Sequence, residues 1–492
     1  MIVVAAGGLA LPACGTGPTA RAPGTAPSRI DTVGIRGYTQ FLASDRLAGR
    51  ATGAPGADLA AHYIASLCSS LGLKPVGGAY LHPVPLEELS ISPEGTALVV
   101  SGPGGRLPYS MPDGFVVNAG WGPTAAFAGP MVYGESSRDL LAPGAPAVSG
   151  AVVVVGEVAG PADDDSLRAR GAVGLVQLSS DRGQYLTFAR SRGLSRLQLA
   201  DTGISRSLEA ALPSVLGGLD FSRRVLGAAG GTRVAALPDS VTARVAFRRR
   251  PVRSSNVMCL LEGSEARTRD TAIAYSAHYD HLGIGLPDAR GDSIYNGFSD
   301  NAAGVGMLLA IARAFGPRPG PPPRHSILFL FFTGEEQGLL GSDYYVARPP
   351  WPTERIAAVI NLDAGAPPAR PWSWRIAGGD RSALGRLAQD VAADHGWSAT
   401  TSPATPNSDY YPFVRTGVPA IFIVPGSGPY QGLSVDSSQA LRRRWDRYHQ
   451  PGDEWFPDFP YAGVGRYAEF AYFIGRAVDE GRRDRRGVPP MM

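Results

Sequence analysis

His278, Asp280, Asp300, Glu335, Glu336 and Asp363 are of the types that bind divalent cations or move protons, and most stand just past a short apolar run. His278 and Asp280 follow the run 272–275, Glu335 and Glu336 follow 327–332, Asp363 ends 357–362, and Asp300 opens a helical pattern at Ser299-Asp300-Asn301-Ala302. Imidazole nitrogen and carboxylate oxygen are donors that zinc accepts, and a catalytic zinc keeps one position open for water. Two zincs roughly 3.5–4 Å apart need a bridging carboxylate to offset their repulsion. One bridging Asp, with a His and a further carboxylate for each ion, completes such a centre. A separate group must take a proton from the attacking water, whose pKa a zinc lowers to about 7. Adjacent glutamates can divide this work, one binding metal while its neighbour faces the water.

Taken singly, each residue has a plainer reading. His278 is then a core histidine bonded to a backbone carbonyl. Glu335-Glu336 is the acidic first turn of a helix, favoured by the helix dipole. Asp300 is an N-cap, Asp363 a turn residue, His449 part of a surface turn before Gln450-Pro451-Gly452, and Tyr448 a packing aromatic. His281, His325 and His395 read as structural or surface residues. Only joint occurrence in order favours a site.

The elements that must position these residues follow from periodicity. The runs 272–275, 327–332, 357–362 and 420–424 suit strands buried on both faces of a parallel or mixed sheet. Helical patterns at 302–315 and 384–395 lie between them. This alternation predicts an α/β fold, a three-layer α/β/α sandwich with a mixed, largely parallel sheet. The carboxyl ends of such strands form the usual binding crevice. From about 30 to 74 the pattern is helical, with Ala60, Ala61, Tyr63, Ile64, Leu67 and Leu71 at spacings of three and four and Gly72 as a stop. Between about 122 and 236, β-rich runs such as 151–155 and 173–178 alternate with Gly/Pro turns, without a cluster of His and acidic residues. An inserted β-rich domain is expected there. The chain therefore divides into 1–29 (signal and tether), 30–121, the insert 122–236, and 237–492 carrying the chemistry.

With 44% hydrophobic and 18% charged residues, the 492-residue chain is not of the disordered class. A net charge of +3 gives no reason to expect a nucleic-acid partner. The run Arg482-Arg483-Asp484-Arg485-Arg486 reads as a solvated, fraying tail. The apolar run 2–13 is too short to span a bilayer and suits the core of an export signal. It ends Leu11-Pro12-Ala13-Cys14, which resembles a bacterial lipoprotein box with Cys14 as the lipidated residue, and a tether follows to about 28. An exported protein is expected, either a cell-surface lipoprotein or secreted/periplasmic, with a lipid on Cys14 as its only membrane contact. Export permits a Cys68–Cys259 disulfide; two separately buried thiols fit the sequence equally.

The segments AHYDHLG, YNGFSDNAAGVGMLL, ILFLFFTGEEQGLLGSDYYV, VINLDAG, SDYYPFVRTGVPAIF and YHQPGD, taken in order, resemble the successive motifs of the co-catalytic di-zinc aminopeptidases. This is metallopeptidase family twenty-eight, of the aminopeptidase Y and bacterial leucyl aminopeptidase type. The resemblance covers about residues 250–480 and implies the zinc exopeptidase fold. It implies two Zn2+ ions, one on His278, Asp300 and Asp363 and the other on Asp300, Glu336 and His449, with Asp300 as the bridge. It further implies Glu335 as general base, Asp280 as the hydrogen-bond partner of His278, and Tyr448 as donor to the developing oxyanion. The segment LASDRLAGRATGAPGADLAAHYIASLCSSLGLKP resembles the family's helical N-terminal part, and the insert its protease-associated domain. Where many relatives have His, this chain has Tyr410, which is not a ligand position.

What the resemblance implies is a zinc-dependent exopeptidase that hydrolyses N-terminal peptide bonds of a peptide substrate. A carboxypeptidase would use the same metals and need a cationic pocket, for which Arg375, Arg381, Arg386, Arg415 and Arg442 are candidates. A glutaminyl cyclase would use one zinc and lack the full ligand set. A transferrin-receptor-like binding scaffold would have lost ligands that this chain retains. Oligomeric state and side-chain preference are not encoded in these motifs.

Overall fold

Apolar runs without alternation belong in strands covered on both faces. The C-terminal half builds its sheet from β1 (Val234–Leu261), β2 (Ala272–His278), β3 (Ser326–Phe332), β4 (Ile356–Leu362), β5 (Ser373–Ala377), β6 (Ser398–Ser402) and β7 (Ala420–Pro425). Every residue of β2, β3 and β4 is buried. The spatial order is β6-β5-β7-β4-β2-β3-β1. β2 runs parallel to both β3 and β4, β4 is parallel to β7, and β1 closes antiparallel on β3. The computed structural model describes residues 30–117, 126–157, 161–179, 195–201, 212–316, 322–363 and 365–489. The export signal, Cys14 and the tether expected over 1–29 lie outside the described residues.

Helices cover both faces of this sheet. On one side lie α1 (Thr32–Leu42), α2 (Pro55–Ser70), α3 (Ala303–Phe315), α4 (Ala383–Asp394) and α5 (Ala462–Asp479). Their Ile35, Ile64, Leu308, Leu387 and Phe470 pack against the strand residues Ile273, Phe329 and Ile360. On the other side, Tyr345 and Phe413, from the short helices Leu340–Ala347 and Tyr411–Arg415, pack on Leu330, Val359 and Phe422. Each fully buried phenylalanine contributes about 1.5–3 kcal/mol relative to exposure. The result is the three-layer α/β/α sandwich expected from the alternation of runs. Among the described residues, no helix is long and apolar enough to cross a membrane.

In α2, Pro55 stands at the first helical position, where its missing N–H costs nothing, and Ala57, Ala60, Ala61, Ile64 and Cys68 face inward at spacings of three and four. Gly72, at φ +74°, ends the segment as the sequence predicts. Cys68 and Cys259 are disulfide-bonded across a sequence separation of 191, with Cα atoms 6.2 Å apart, which decides between the two readings left open above. The bond staples α2 to β1. A Cys68→Ala/Cys259→Ala double variant is expected to lose about 2–4 kcal/mol of stability, read from denaturant midpoints against wild type under oxidising conditions.

The long strand Leu81–Gly102 pairs with β1 from Leu81 opposite Val257 to Ser101 opposite Ser240, carrying the sheet out of this core into a second one. There Val152, Val154, Val176 and Val215 pack with Leu98, Val100, Val241 and Val245. This second core thus recruits residues on both sides of the 122–236 span. At the C-terminus the basic run does not fray. Arg482 pairs with Asp394 at 2.6 Å, Arg485 with Asp390 at 3.4 Å, and Asp484 is buried against Arg386 at 2.6 Å. Acidic partners on α4 hold it down.

Candidate metal centre

Parallel strands end at one edge, so the residues at the ends of β2, β3 and β4 meet there. His278 is the last residue of β2, which runs three residues beyond the apolar run 272–275, and Asp363 directly follows β4. Glu335 and Glu336 lie in the turn after β3; the next helix begins only at Leu340, so they are not its first turn. Asp300 has φ −123° and ψ 91°, the Asp300–Asn301 peptide is cis, and α3 starts at Ala303. Asn301 Oδ1 accepts the Gly304 N–H at 3.0 Å. The capping role therefore falls to Asn301, and both Asp300 oxygens are left for the crevice. His449, at φ +55°, comes from the loop after the helix Val435–Trp445.

These residues converge. His278 Nε2 lies 3.1 Å from Asp300 Oδ1 and 3.1 Å from Asp363 Oδ1. His449 Nε2 lies 3.1 Å from Asp300 Oδ2 and 3.2 Å from Glu336 Oε2. Asp300 thus turns one oxygen to each histidine. One potential ligand atom from each of His278, Asp300 and Asp363 falls within a 4.8 Å cluster, and the same holds for His281, Asp300, Glu336 and His449. His281 Nε2 and His449 Nε2 are buried and form no hydrogen bond. His449 thus approaches two carboxylates without being directed at either as a donor. Buried nitrogens are rarely left so, and a cation among these donors would satisfy His449.

A surrounding shell orients the set. His278 Nδ1 meets the main-chain carbonyl of Asp280 at 3.1 Å; the Asp280 carboxylate, expected to be its partner, stands 3.8 Å away. That carboxylate accepts instead from Thr52 Oγ1 at 2.7 Å and from the Glu335 N–H at 3.3 Å. Ser276 donates to Asn361, Asn361 to Ser408 and Ser408 to Asp363 Oδ2, a chain of buried bonds behind Asp363. Asp453 accepts the N–H groups of Ser299 at 3.0 Å and Asp300 at 3.1 Å. Arg50 is fully buried and donates to the carbonyls of Leu42, Tyr279, Asn296 and Gly297, tying the N-terminal segment to the loops on both sides of the centre. Orienting groups of this kind are worth about 10–100-fold in metal affinity. Asp453→Ala is expected to weaken metal binding by about that factor, read by competition with a chromophoric chelator; unchanged affinity would remove Asp453 from the shell.

Charge is concentrated here. Burial, with repulsion from Asp363, Asp409 and Glu336, raises the Glu335 carboxyl well above the usual range despite His278. Burial, with repulsion from Asp363 and Asp280, pushes Asp409 up to about 8, and burial with repulsion from Asp300 pushes Asp453 up to about 6, against their hydrogen bonds. Burial also works against Asp300, yet the imidazoles of His278 and His449 beside it hold it below the normal carboxylate range. In His449, burial is outweighed by Asp300 and Glu336, which raise the imidazole to about 10. Such packed acids with histidine counter-charges have the electrostatic form of a cation site.

The structure brings His278, Asp300, Glu335, Glu336, Asp363 and His449 together, with Asp280 directly behind them. Tyr448 lies at the rim, 56% exposed, its ring stacked on His449 at 3.8 Å. Tyr410 is buried behind the crevice, and its hydroxyl accepts the Thr405 N–H at 2.8 Å. His325 pairs with Asp479 at 3.2 Å and His395 stacks on Phe473, both structural as expected. His281 is not: its Nδ1 lies 2.6 Å from Glu336 Oε1, and its ring meets that of His449. Its position one residue past Asp280 was the signal available. A cavity of about 540 Å3 opens on Asp300, Glu335, Asp363 and Tyr448.

Residues 256–471 match the family model described as Peptidase family M28. A probable zinc metalloprotease of Pyrenophora teres f. teres (strain 0-1) is 36% identical over 113 residues, 23% of this chain and 23% of that protein. The probable leucine aminopeptidase 2 of Aspergillus oryzae is 26% identical over 212 residues, 38% of this chain and 40% of that one. The chain thus spans about a quarter of the length of the first curated relatives it matches. Among solved structures, the aminopeptidase from Aneurinibacillus sp. strain AM-1 superimposes with a TM-score of 0.56 at 16% identity, covering 91% of this chain and 94% of that one. BSAP, a zinc aminopeptidase from Bacillus subtilis, gives 0.50 at 15%, covering 90% and 94%. These two share the fold.

Proposed function

With residues 256–471 as its Peptidase family M28 region, we propose that this chain is a zinc-dependent exopeptidase hydrolysing N-terminal peptide bonds, with two zinc ions held by His278, Asp300, Glu336, Asp363 and His449. The observation that carries this reading is the division of Asp300, with Oδ1 3.1 Å from His278 and Oδ2 3.1 Å from His449. When bound, the zincs supply Lewis-acid polarisation of the scissile carbonyl and lower the pKa of the attacking water.

The protein groups divide the remaining work. Both Glu336 oxygens are engaged, by His281 at 2.6 Å and His449 at 3.2 Å. Among the described residues the Glu335 carboxylate accepts no hydrogen bond, and its approach to His278 is 3.9 Å. It is therefore free to take a proton from the water and return it to the leaving amine. Tyr448 lines the cavity and would donate its hydroxyl to the oxyanion as charge develops there. Asp280 acts through its main-chain carbonyl on His278 Nδ1, holding the tautomer that presents Nε2 to metal. The Cys68–Cys259 disulfide supports export to an oxidising compartment.

Hydrolysis of free and N-acetylated leucyl amides, with zinc analysis, tests the proposal. Cleavage confined to the free amide, two zincs per chain and loss of turnover on chelation are expected. Preference for the acetylated amide, or full activity after chelation, would overturn it.

A further inference from the structure

We infer that the cavity beside the metal centre contains a carboxylate-binding subsite built on Arg375 and Arg442. This deepens the peptidase reading and rests on it. Of the arginines that the sequence leaves open, Arg386 is paired with Asp484 at 2.6 Å, Arg415 with Asp343 at 2.7 Å, and Arg381 lies beside Asp380 at 3.8 Å. Arg375 and Arg442 line the cavity that reaches Glu335 and Asp363. Among the described residues, neither pairs with a carboxylate.

The backbone explains why Arg375 points there. It stands on β5 opposite Val424 of β7 in the antiparallel register, and directly opposed residues share a face of the sheet. Val424 and Phe422 also line the cavity, so this face of β5 and β7 is one wall of it. Arg375 is exposed on that wall. Arg442 is held from behind: its Nη2 donates to the carbonyls of Gly426 and Gly428, and its guanidinium lies 4.4 Å from the Tyr430 ring centre. Those bonds fix its position without cancelling its charge.

Asp446 is the cavity's acidic residue away from the metal end, where Asp300, Glu335 and Asp363 gather. Cations on the ligand carboxylates would offset charge at that end, leaving the two guanidiniums among the cavity's remaining lining residues. Guanidinium matches carboxylate in charge and in its planar donor fork. A substrate carboxylate can come from a Glu or Asp side chain, or from the free C-terminus of a short peptide. The cavity volume of about 540 Å3 accommodates either.

Two substrate arms separate these sources. Glutamyl-p-nitroanilide against leucyl-p-nitroanilide reads the side chain, and Leu-Leu against Leu-Leu amide reads the C-terminus. In at least one arm the carboxylate form is expected to have kcat/KM about tenfold or more above its neutral partner, with that ratio falling about tenfold in Arg375→Met. Ratios near one in both arms, or ratios unmoved by the substitution, would overturn the subsite. Calorimetric titration of the zinc-loaded protein with glutarate reads it without turnover; about tenfold weaker binding to Arg375→Met is expected, and equal binding overturns it. If no substrate is cleaved but the glutarate difference persists, the peptidase reading fails while the subsite stands.

Discussion

Glu335→Gln is expected to lower kcat by about 10²- to 10⁴-fold, the usual contribution of a positioned general base, while zinc content stays unchanged. The amide keeps the size of the side chain and loses its proton affinity. Nothing else should move, because among the described residues the Glu335 carboxylate accepts no hydrogen bond, whereas its main-chain N–H still donates to Asp280 at 3.3 Å. The ligands proposed for zinc lie in other side chains. Steady-state kinetics at saturating substrate, with metal analysis of the same preparation, provide the check. A loss below about tenfold would deprive Glu335 of the base role; a parallel loss of zinc would make it a ligand instead.

Asp300→Ala should have the other large effect, and of a different kind. Asp300 is common to the group containing His278 and Asp363 and to the group containing His281, Glu336 and His449. Removing it takes one donor from each, so both zincs should leave together and turnover with them. Since an orienting neighbour alone is worth about 10–100-fold in affinity, loss of a shared ligand should exceed a hundredfold. Glu336→Ala, by contrast, spares the His278–Asp363 group, so one zinc should remain. Zinc stoichiometry after equilibrium dialysis separates the two variants. Two zincs retained by Asp300→Ala would dismiss it as the bridge.

Several contacts at and near the centre depend on segments distant in the chain. As a histidine in a loop after a strand, His281 reads as structural; only the path of that loop, pinned by Arg50 and by the His281 N–H on the Arg50 carbonyl, swings its Nδ1 onto Glu336. Asp453 lies within the recognised YHQPGD segment, yet its bonds to the Ser299 and Asp300 N–H groups depend on two distant loops meeting. The basic C-terminal run reads as solvated when its aspartate partners, Asp390 and Asp394 on α4, are not seen beside it. Which of the five arginines line the cavity depends on cross-strand register, which sets Arg375 opposite Val424.

Local chemistry was enough for strands β2, β3, β4 and β7, for helices α2, α3 and α4 and for the donor types at the crevice, because burial periodicity and donor identity are properties of short stretches. His278, Asp300, Glu335, Glu336, Asp363 and His449 could be chosen from residue type and motif order. Folding in three dimensions alone decided which carboxylate oxygen faces which imidazole, which glutamate is left free, how the cysteines pair, and which arginines face the cavity. Those outcomes depend on distances between segments far apart in the chain, and such distances are set by strand register and loop path.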